Sequence, residues 1–195
     1  VGHGWSASGQ EAMLWTAGLG MTPLGDLPGG SFASEAHAVS ANGGVIVGQG
    51  VSASGTEAFR WTAAGGMVGL GDLPGGAFAS IARAVSADGS IAAGQVSSAA
   101  GTEAGLLTAC GAVQSIGEVP GGLVIGDATA LSADGQVVVG FGWDMNGPQA
   151  FRWTRGTGLQ LLGDLPGGPV SSEAKSISGD GRVIESGGSP QRVRV

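Results

Sequence analysis

The chain has 195 residues, 41 of them glycine, and a formal net charge of −7 from 15 acidic and 8 basic side chains. An acidic surface repels phosphate backbones, which excludes nucleic acid as the expected partner. No apolar run approaches the roughly 20 residues that insertion across a membrane requires, and the single cysteine, Cys110, excludes an internal disulfide. High glycine with retained Val, Ile, Leu and Trp indicates short strands joined by tight turns.

A period of 46 residues organises the chain. The hexapeptide GDLPGG occurs at 25–30, 71–76 and 163–168, with the near copy GEVPGG at 117–122. An apolar, mostly aromatic position keeps the same spacing at Trp15, Trp61, Leu107 and Trp153. A fixed period of this length is typical of propeller blades or solenoid turns. The units are 1–46, 47–92, 93–138 and 139–184, followed by a non-repeat tail at 185–195.

Four short strands are predicted in each unit. In the second copy they are expected at 45–50, 58–62, 67–73 and 79–86. Phe59 and Trp61 alternate with polar neighbours, as in a half-buried strand. Proline and glycine end the third strand, and Asp88-Gly89 predicts a type I′ hairpin turn. No segment has a helical period.

These patterns predict an all-β fold, a β-propeller of four 46-residue repeats with about four short antiparallel strands each. Repetition around an axis covers the faces and edges that a lone sheet leaves open. The Trp15 position is expected in the core between blades. A closed four-blade ring brings residue 184 and residue 1 together, because GRVI (181–184) and Val1-Gly2 supply the two halves of one strand. The alternatives are half of a larger ring completed by a second chain, and a β-solenoid.

The repeat unit resembles that of the bacterial HAF-repeat family of extracellular proteins. The resemblance rests on SADG-x-V-V-V-G, G-x-EAFRWT, LGDLPGG and A-x-AVS, and it extends over residues 1–184. The histidine of the family's His-Ala-Phe triplet is replaced in every copy, so no role of that histidine carries over. The corresponding triplets begin at Glu11, Glu57, Glu103 and Gln149. The resemblance implies secretion or cell-surface display, and the strand order is similar to that of kelch repeats.

Each Pro-Gly-Gly corner carries one acidic residue. These residues are Asp26, Asp72, Glu118 and Asp164. In a closed ring they form a circle on one face, which predicts either a shared calcium site or carboxylates that accept backbone N–H bonds within their own corners. The second interpretation is favoured, because calcium sites usually gather several oxygens within a few residues and each corner offers one carboxylate. No other cofactor is expected.

Two tryptophans, Trp5 and Trp143, hold equivalent positions at the end of a strand in the first and fourth units. In a closed ring these units are neighbours, so both indoles lie on one rim. The polar residues near them are His3, Asp144, Asn146 and Gln149. Flat aromatic rings flanked by polar groups suit the apolar faces of sugars. These residues are the candidate ligand-binding rim of the chain, but the favoured interpretation is that the indoles only cover the seam between units.

The predicted function is a non-catalytic extracellular or cell-surface module that binds a glycan, a surface polymer or a partner protein. Repeated units supply equivalent weak sites and avidity. No nucleophile motif is present, and His3 and His37 occupy unrelated positions in their units. The alternatives are a polysaccharide lyase or hydrolase with a site at the propeller axis or seam, and a structural spacer. Near-identical strands also predict homodimers formed by ring sharing or strand exchange.

Overall fold

The computed structural model describes residues 1–166 and 170–187, and all regular structure in that part of the chain is β. The strands are β1 (Gly2–Ser6), β2 (Gly9–Thr16), β3 (Gly20–Pro23), β4 (Gly29–Val39), β5 (Ile46–Ser52), β6 (Gly55–Thr62), β7 (Gly66–Gly69), β8 (Ile81–Val85), β9 (Ile91–Ser97), β10 (Thr102–Thr108), β11 (Val113–Ser115), β12 (Gly126–Leu131), β13 (Val137–Asp144), β14 (Gly147–Thr154), β15 (Gly158–Leu161), β16 (Glu173–Ile177) and β17 (Ile184–Gly187). The prediction of an all-β fold is confirmed.

The strands form five consecutive small antiparallel sheets in the described part of the chain. Sheet I holds β1–β3, sheets II, III and IV hold β4–β7, β8–β11 and β12–β15, and sheet V holds β16–β17. A single parallel bridge between Gln10 and Ala33 links sheets I and II, and equivalent bridges follow at Thr56 and Thr102. The first strand of a sheet lies just after a Pro-Gly-Gly corner, so sheets II to V each begin in one sequence unit and continue in the next.

The turn between the first two strands of a sheet is not type I′. Type I′ needs positive φ at both central residues, and no non-glycine residue in the described ranges has one. Gly89 alone takes φ 75°, and its N–H donates to the Ser86 carbonyl at 3.0 Å. Asp88 accepts the Ser86 hydroxyl at 2.6 Å and the Ser90 N–H at 3.0 Å. These local bonds hold the aspartate in an ordinary conformation and leave the left-handed residue to glycine.

The core lies in layers between consecutive sheets. Between sheets I and II, Leu24 and Leu27, in the segment between β3 and β4, pack with Ile46 and Phe59 of sheet II. The layers between the following sheets repeat this arrangement. Leu107 and Trp153 are buried as predicted. Trp15 is exposed, which overturns its predicted place in the core, because no sheet covers that face of sheet I in the described structure.

No strand pair joins sheet I to sheet V among residues 1–166 and 170–187. β17 pairs with β16, whereas β1 pairs with β2. The expected meeting of residue 184 and residue 1 within one strand is therefore not seen. Three residues of the predicted tail, 185–187, belong to β17, and 188–195 lie outside the described residues.

Candidate functional site

The corner aspartates are occupied by backbone donors. Asp26 accepts the N–H of Leu27 at 2.9 Å and that of Ala33 at 2.8 Å. Asp72 repeats both bonds and adds one from the Ser97 N–H at 2.7 Å. Asp164 accepts two N–H groups in the same way, although residues 167 and 168 of its corner lie outside the described residues. Each of these carboxylates therefore stabilises the backbone conformation of its own corner.

The four corner acids do not form a shared cation site in the described part of the chain. Among those residues, no group of three or more His, Cys, Asp or Glu side chains is placed to hold a metal ion. Glu118, the fourth acid, is exposed. The corner glycines have a second carboxylate partner, since Glu11 accepts the Gly25 N–H and Glu57 the Gly71 N–H, both at 3.1 Å. The glutamate of the repeat triplet thus helps to fix the corner.

A buried serine completes the corner, and sequence reasoning missed it. Ser80 donates its hydroxyl to the Gly71 carbonyl at 2.6 Å and accepts the Ala58 N–H at 3.0 Å. Ser34 and Ser172 make the same pair of bonds in their units. The conserved spacing of 46 residues was the available signal, but a serine in a polar repeat has no distinctive local pattern.

The β13–β14 hairpin gathers four of the six predicted ligand residues. Trp143 lies at the end of β13 with 40% of its surface exposed. The Asp144 carboxylate accepts the N–H of Asn146 at 2.7 Å, and its other oxygen accepts the side-chain amide of Gln149. These bonds, the backbone N–H of Asn146 first among them, lower the pKa of Asp144. The hairpin therefore presents an indole beside an ionised acceptor that is already fixed in place.

The other two predicted ligand residues lie on β1. Trp5 is exposed and borders a groove of about 250 Å³ on sheet I. His3 Nδ1 lies 3.1 Å from Glu35 Oε1, on the first strand of sheet II. No described hydrogen bond or strand pair links either residue to the Trp143 hairpin. The shared rim of Trp5 and Trp143 therefore stays a prediction.

A polar cluster on the first strands of consecutive sheets was not predicted as a site. Each of these strands has a bulge at the same repeat position, occupied by His37, Arg83, Thr129 and Lys175. From the bulge, His37 Nδ1 donates to the Ala82 carbonyl at 2.9 Å, and Arg83 Nε donates to Asp127 Oδ2 at 2.5 Å. The bulged side chain of one sheet therefore binds the first strand of the next.

Asp127 is the most unusual member of this cluster. It is 5% exposed, and its Oδ1 atom is buried without a hydrogen-bond partner. Burial raises the pKa of this carboxyl. The charge of Arg83 opposes the rise, and the charge of His37 opposes it to the smallest extent. His37 also places Nε2 3.7 Å from Glu35 Oε2. Both histidines of the chain therefore contact Glu35, despite their unrelated positions in the repeat.

The fold is similar to that of a known β-propeller protein. The crystal structure of TolB from Acinetobacter baumannii superposes with a TM-score of 0.64 and 14% sequence identity, covering 95% of this chain and 45% of the TolB chain. At this identity the likeness shows the fold alone, a β-rich fold resembling the TolB β-propeller. The chain spans less than half of the protein it matches. No helix in the described ranges is long and apolar enough to cross a membrane. No family model matches the chain, and no curated protein matches it.

Proposed function

We propose that this chain is a non-catalytic module that acts outside a bacterial cell or at its surface and binds a glycan, a surface polymer or a partner protein. In this proposal the sheets are the blades of a propeller built from four 46-residue repeats. The observation that carries it is the β13–β14 hairpin, where an exposed indole adjoins fixed polar groups. The resemblance of the repeats to the HAF-repeat family supports the extracellular location.

The chemistry of the hairpin suits a sugar. The exposed part of Trp143 offers a flat apolar surface against which the C–H face of a pyranose stacks. Asp144 accepts hydroxyl hydrogen bonds in its ionised form, and its own bonds to Asn146 and Gly147 fix its orientation before binding. Preorganised groups lose less conformational entropy when a ligand binds. The proposed ligand contact is therefore an indole stack with one charge-assisted hydrogen bond.

Glycan binding is tested by screening the wild-type protein on a glycan array and measuring the best ligand, as a free oligosaccharide, by calorimetry. Trp143→Ala is expected to weaken binding about tenfold or more, as for loss of an aromatic hot spot. Met145→Ala is the matched control, because Met145 is exposed in the same hairpin and offers no ring. Trp5→Ala measures whether the first unit contributes a second site.

Unchanged affinity in a Trp143→Ala protein whose circular dichroism shows the native fold would contradict the proposed contact. An array on which the wild-type protein binds no glycan would eliminate the glycan ligand and leave a surface polymer, a partner protein or the role of a structural spacer.

The polar cluster favours a second candidate, an enzyme that cleaves polysaccharide. A buried carboxyl with a raised pKa is a common general acid in glycoside chemistry, and Asp127 has both properties. The assay is release of reducing ends or of unsaturated sugars from a panel of polysaccharides. Loss of release in Asp127→Asn would support the enzyme, and no release by the wild-type protein would eliminate it.

A further inference from the structure

A cleft of about 150 Å³ opens where β2 of sheet I meets the first three strands of sheet II. It lies beside the parallel bridge between Gln10 and Ala33. Four side chains give it hydrogen-bonding groups, and they are Gln10, Glu35, Gln49 and Thr56. Glu35 and Gln49 are directly opposite each other in the β4–β5 pair, so their side chains lie on the same face of sheet II. We call this surface, which gathers a carboxylate, two amides and a hydroxyl, the amide cleft.

The two amides and the hydroxyl of the cleft are available to a ligand. Within residues 1–166 and 170–187, the side chains of Gln10, Gln49 and Thr56 form no hydrogen bond with another protein group. The buried side-chain atoms that lack a partner in those ranges are Arg60 Nε and Asp127 Oδ1, so the polar atoms of these three side chains are in contact with solvent. A ligand can therefore bond them without breaking a contact inside the protein.

Two histidines hold the carboxylate of the cleft. His3 Nδ1 lies 3.1 Å from Glu35 Oε1, and His37 Nε2 lies 3.7 Å from Glu35 Oε2. His37 is fixed in turn, because its Nδ1 donates to the Ala82 carbonyl at 2.9 Å. A carboxylate oxygen accepts more than one hydrogen bond, so Glu35 keeps the capacity to accept from a ligand. Since an imidazole already faces each of its oxygens, the cleft offers mixed donors and acceptors and suits a neutral ligand better than a cation.

Small residues keep the cleft open, and they coincide with the polar residues at this one place in the repeat. Ala33 and Gly50 line the cleft together with Glu35 and Gln49. The same four repeat positions carry larger apolar side chains further along the chain, which are Ile81 and Val96 one repeat later and Ile125 and Phe141 two repeats later. The combination of space and polarity is therefore specific to the junction of sheets I and II, and the fold itself does not require it.

We propose that the amide cleft binds one neutral sugar ring, such as the terminal pyranose of a glycan. Sugar hydroxyls both donate and accept, which matches the two amides, the hydroxyl and the carboxylate. Ala33 and Val51 add apolar surface for the C–H groups of the ring. The volume is below the roughly 300–1,000 Å³ of sites for drug-sized ligands, so it suits a single ring. The inference shares the ligand class of the proposed function but uses no residue of the β13–β14 hairpin.

Sugar binding at the cleft is measured by NMR on the full chain, from the side-chain amide signals of Gln10 and Gln49. The probes are the methyl pyranosides of glucose, galactose and mannose, each titrated separately. At least one of them should shift both signals saturably with a Kd of about 1 mM, the affinity expected for a ligand of about a dozen heavy atoms. Glycerol, which has hydroxyls without a ring, and ethylammonium chloride, which supplies a cation for Glu35, should produce no saturable shift.

Matched variants locate the site. Gln49→Ala removes one amide of the cleft and should weaken binding at least about fivefold, as read from the Gln10 signal. Gln95→Ala removes the same side chain one repeat later, outside the cleft, and should leave the Kd unchanged. Ala33→Ile introduces the residue found two repeats later and should fill the cleft and abolish binding. If that variant loses the native dispersion of its NMR spectrum, Gln49→Phe fills the cleft with the residue found at position 141.

The inference is overturned if none of the three pyranosides shifts the two amide signals saturably, or if glycerol or ethylammonium shifts them as strongly. It is also overturned if the filled variant binds as tightly as the wild type, or if Gln95→Ala weakens binding as much as Gln49→Ala. Trp143→Ala should leave the Kd at the cleft unchanged, and Gln49→Ala should leave binding at the β13–β14 hairpin unchanged. The two proposals therefore fail separately.

Discussion

Trp15 and Trp153 occupy the same repeat position on the same kind of strand, yet they are 61% and 7% exposed. Trp153 packs with Ala93 and Leu106 of the preceding sheet. Trp15 faces the side of sheet I that no described sheet covers. The difference shows that alternation along a strand identifies the apolar face, but only the neighbouring sheet decides whether that face is buried. In a repeat fold, the terminal units therefore carry a surface that internal units hide.

Alanine substitutions at these two positions should differ most in their effect. Trp153→Ala removes a buried ring and is expected to lower the free energy of unfolding by about 3–5 kcal/mol. Trp15→Ala removes an exposed ring and should stay within about 0.5 kcal/mol. Urea unfolding in dilute protein, where association is negligible, measures both values. Equal losses would mean that another surface covers Trp15 in solution.

A serine substitution in the corner of the second unit should have an effect of intermediate size on the free energy of unfolding. Ser80 is fully buried and bonds both Gly71 and Ala58. Ser80→Ala leaves those two backbone groups without their partner, and each unsatisfied buried group costs about 1–3 kcal/mol. Ser54→Ala, in an exposed turn, is the control. A loss below about 0.5 kcal/mol in urea unfolding would mean that water replaces the hydroxyl.

The third unit carries glycine at the serine position. A Cβ added at Gly126 meets no atom closer than 3.4 Å, and one of the two atoms at that distance is the Ala104 nitrogen. Gly126→Ser should therefore fit without strain and keep or increase the free energy of unfolding. Together with Ser80→Ala, this variant tests whether a hydroxyl stabilises the third corner as it does the corners that carry serine.

Much of the fold could be predicted from sequence because its signals are local. The alternation of the four short strands and the Pro-Gly-Gly corner can each be recognised within one unit. The period of 46 residues repeats these patterns along the chain. The corner role of Asp26 and Asp72 followed from the same reasoning, since a carboxylate beside a turn finds backbone donors within a few residues. The structure places those donors within seven residues of each aspartate, with Ser97 as the exception at Asp72.

The polar cluster could not be predicted in the same way. It depends on bulges at His37 and Arg83, and in strands this short the one-residue shift in alternation that a bulge causes is too brief to identify from sequence. It also joins residues about one repeat apart, such as Arg83 and Asp127, whose contact exists only because consecutive first strands are neighbours. His3 and His37 looked unrelated because they occupy different repeat positions, yet Glu35 lies between them.

Substitutions of the corner acids should have smaller and unequal effects on the free energy of unfolding. Asp72 accepts three backbone N–H groups, so Asp72→Asn is expected to lower the free energy of unfolding by about 1–3 kcal/mol. Glu118→Gln, at the third corner, where the acid is exposed, should change the free energy of unfolding by less than about 0.5 kcal/mol. Millimolar calcium should leave the melting temperature unchanged in both variants and in the wild type. A calcium-dependent rise that Asp72→Asn abolishes would restore the metal interpretation.

Asp88 and Asp127 have opposite environments, and the smallest expected effects concern how each aspartate makes the free energy of unfolding depend on pH. Hydrogen bonds from Ser86 and Ser90 lower the pKa of Asp88 from 3.8 to about 2, whereas burial raises the pKa of Asp127. Above pH 3.8 the ionised form of Asp88 favours the folded state, and this contribution is lost as pH falls towards 2. For Asp127 the folded state holds its proton more tightly than the unfolded state, so the free energy of unfolding falls as pH rises through the interval between its ordinary and raised pKa.

Carboxyl carbon chemical shifts followed by NMR during a pH titration measure both pKa values directly. Asp88→Asn should flatten the loss of stability below pH 3.8, because the equivalent Asn42 supports the same turn with an uncharged side chain. Asp127→Asn should remove the opposite slope. Arg83→Gln takes away the main charge that holds the Asp127 pKa down, so the pKa should rise further in that variant. An Asp127 that titrates at or below 3.8 would show that its unpartnered oxygen is hydrated in solution, and that the carboxyl has no special acidity for chemistry.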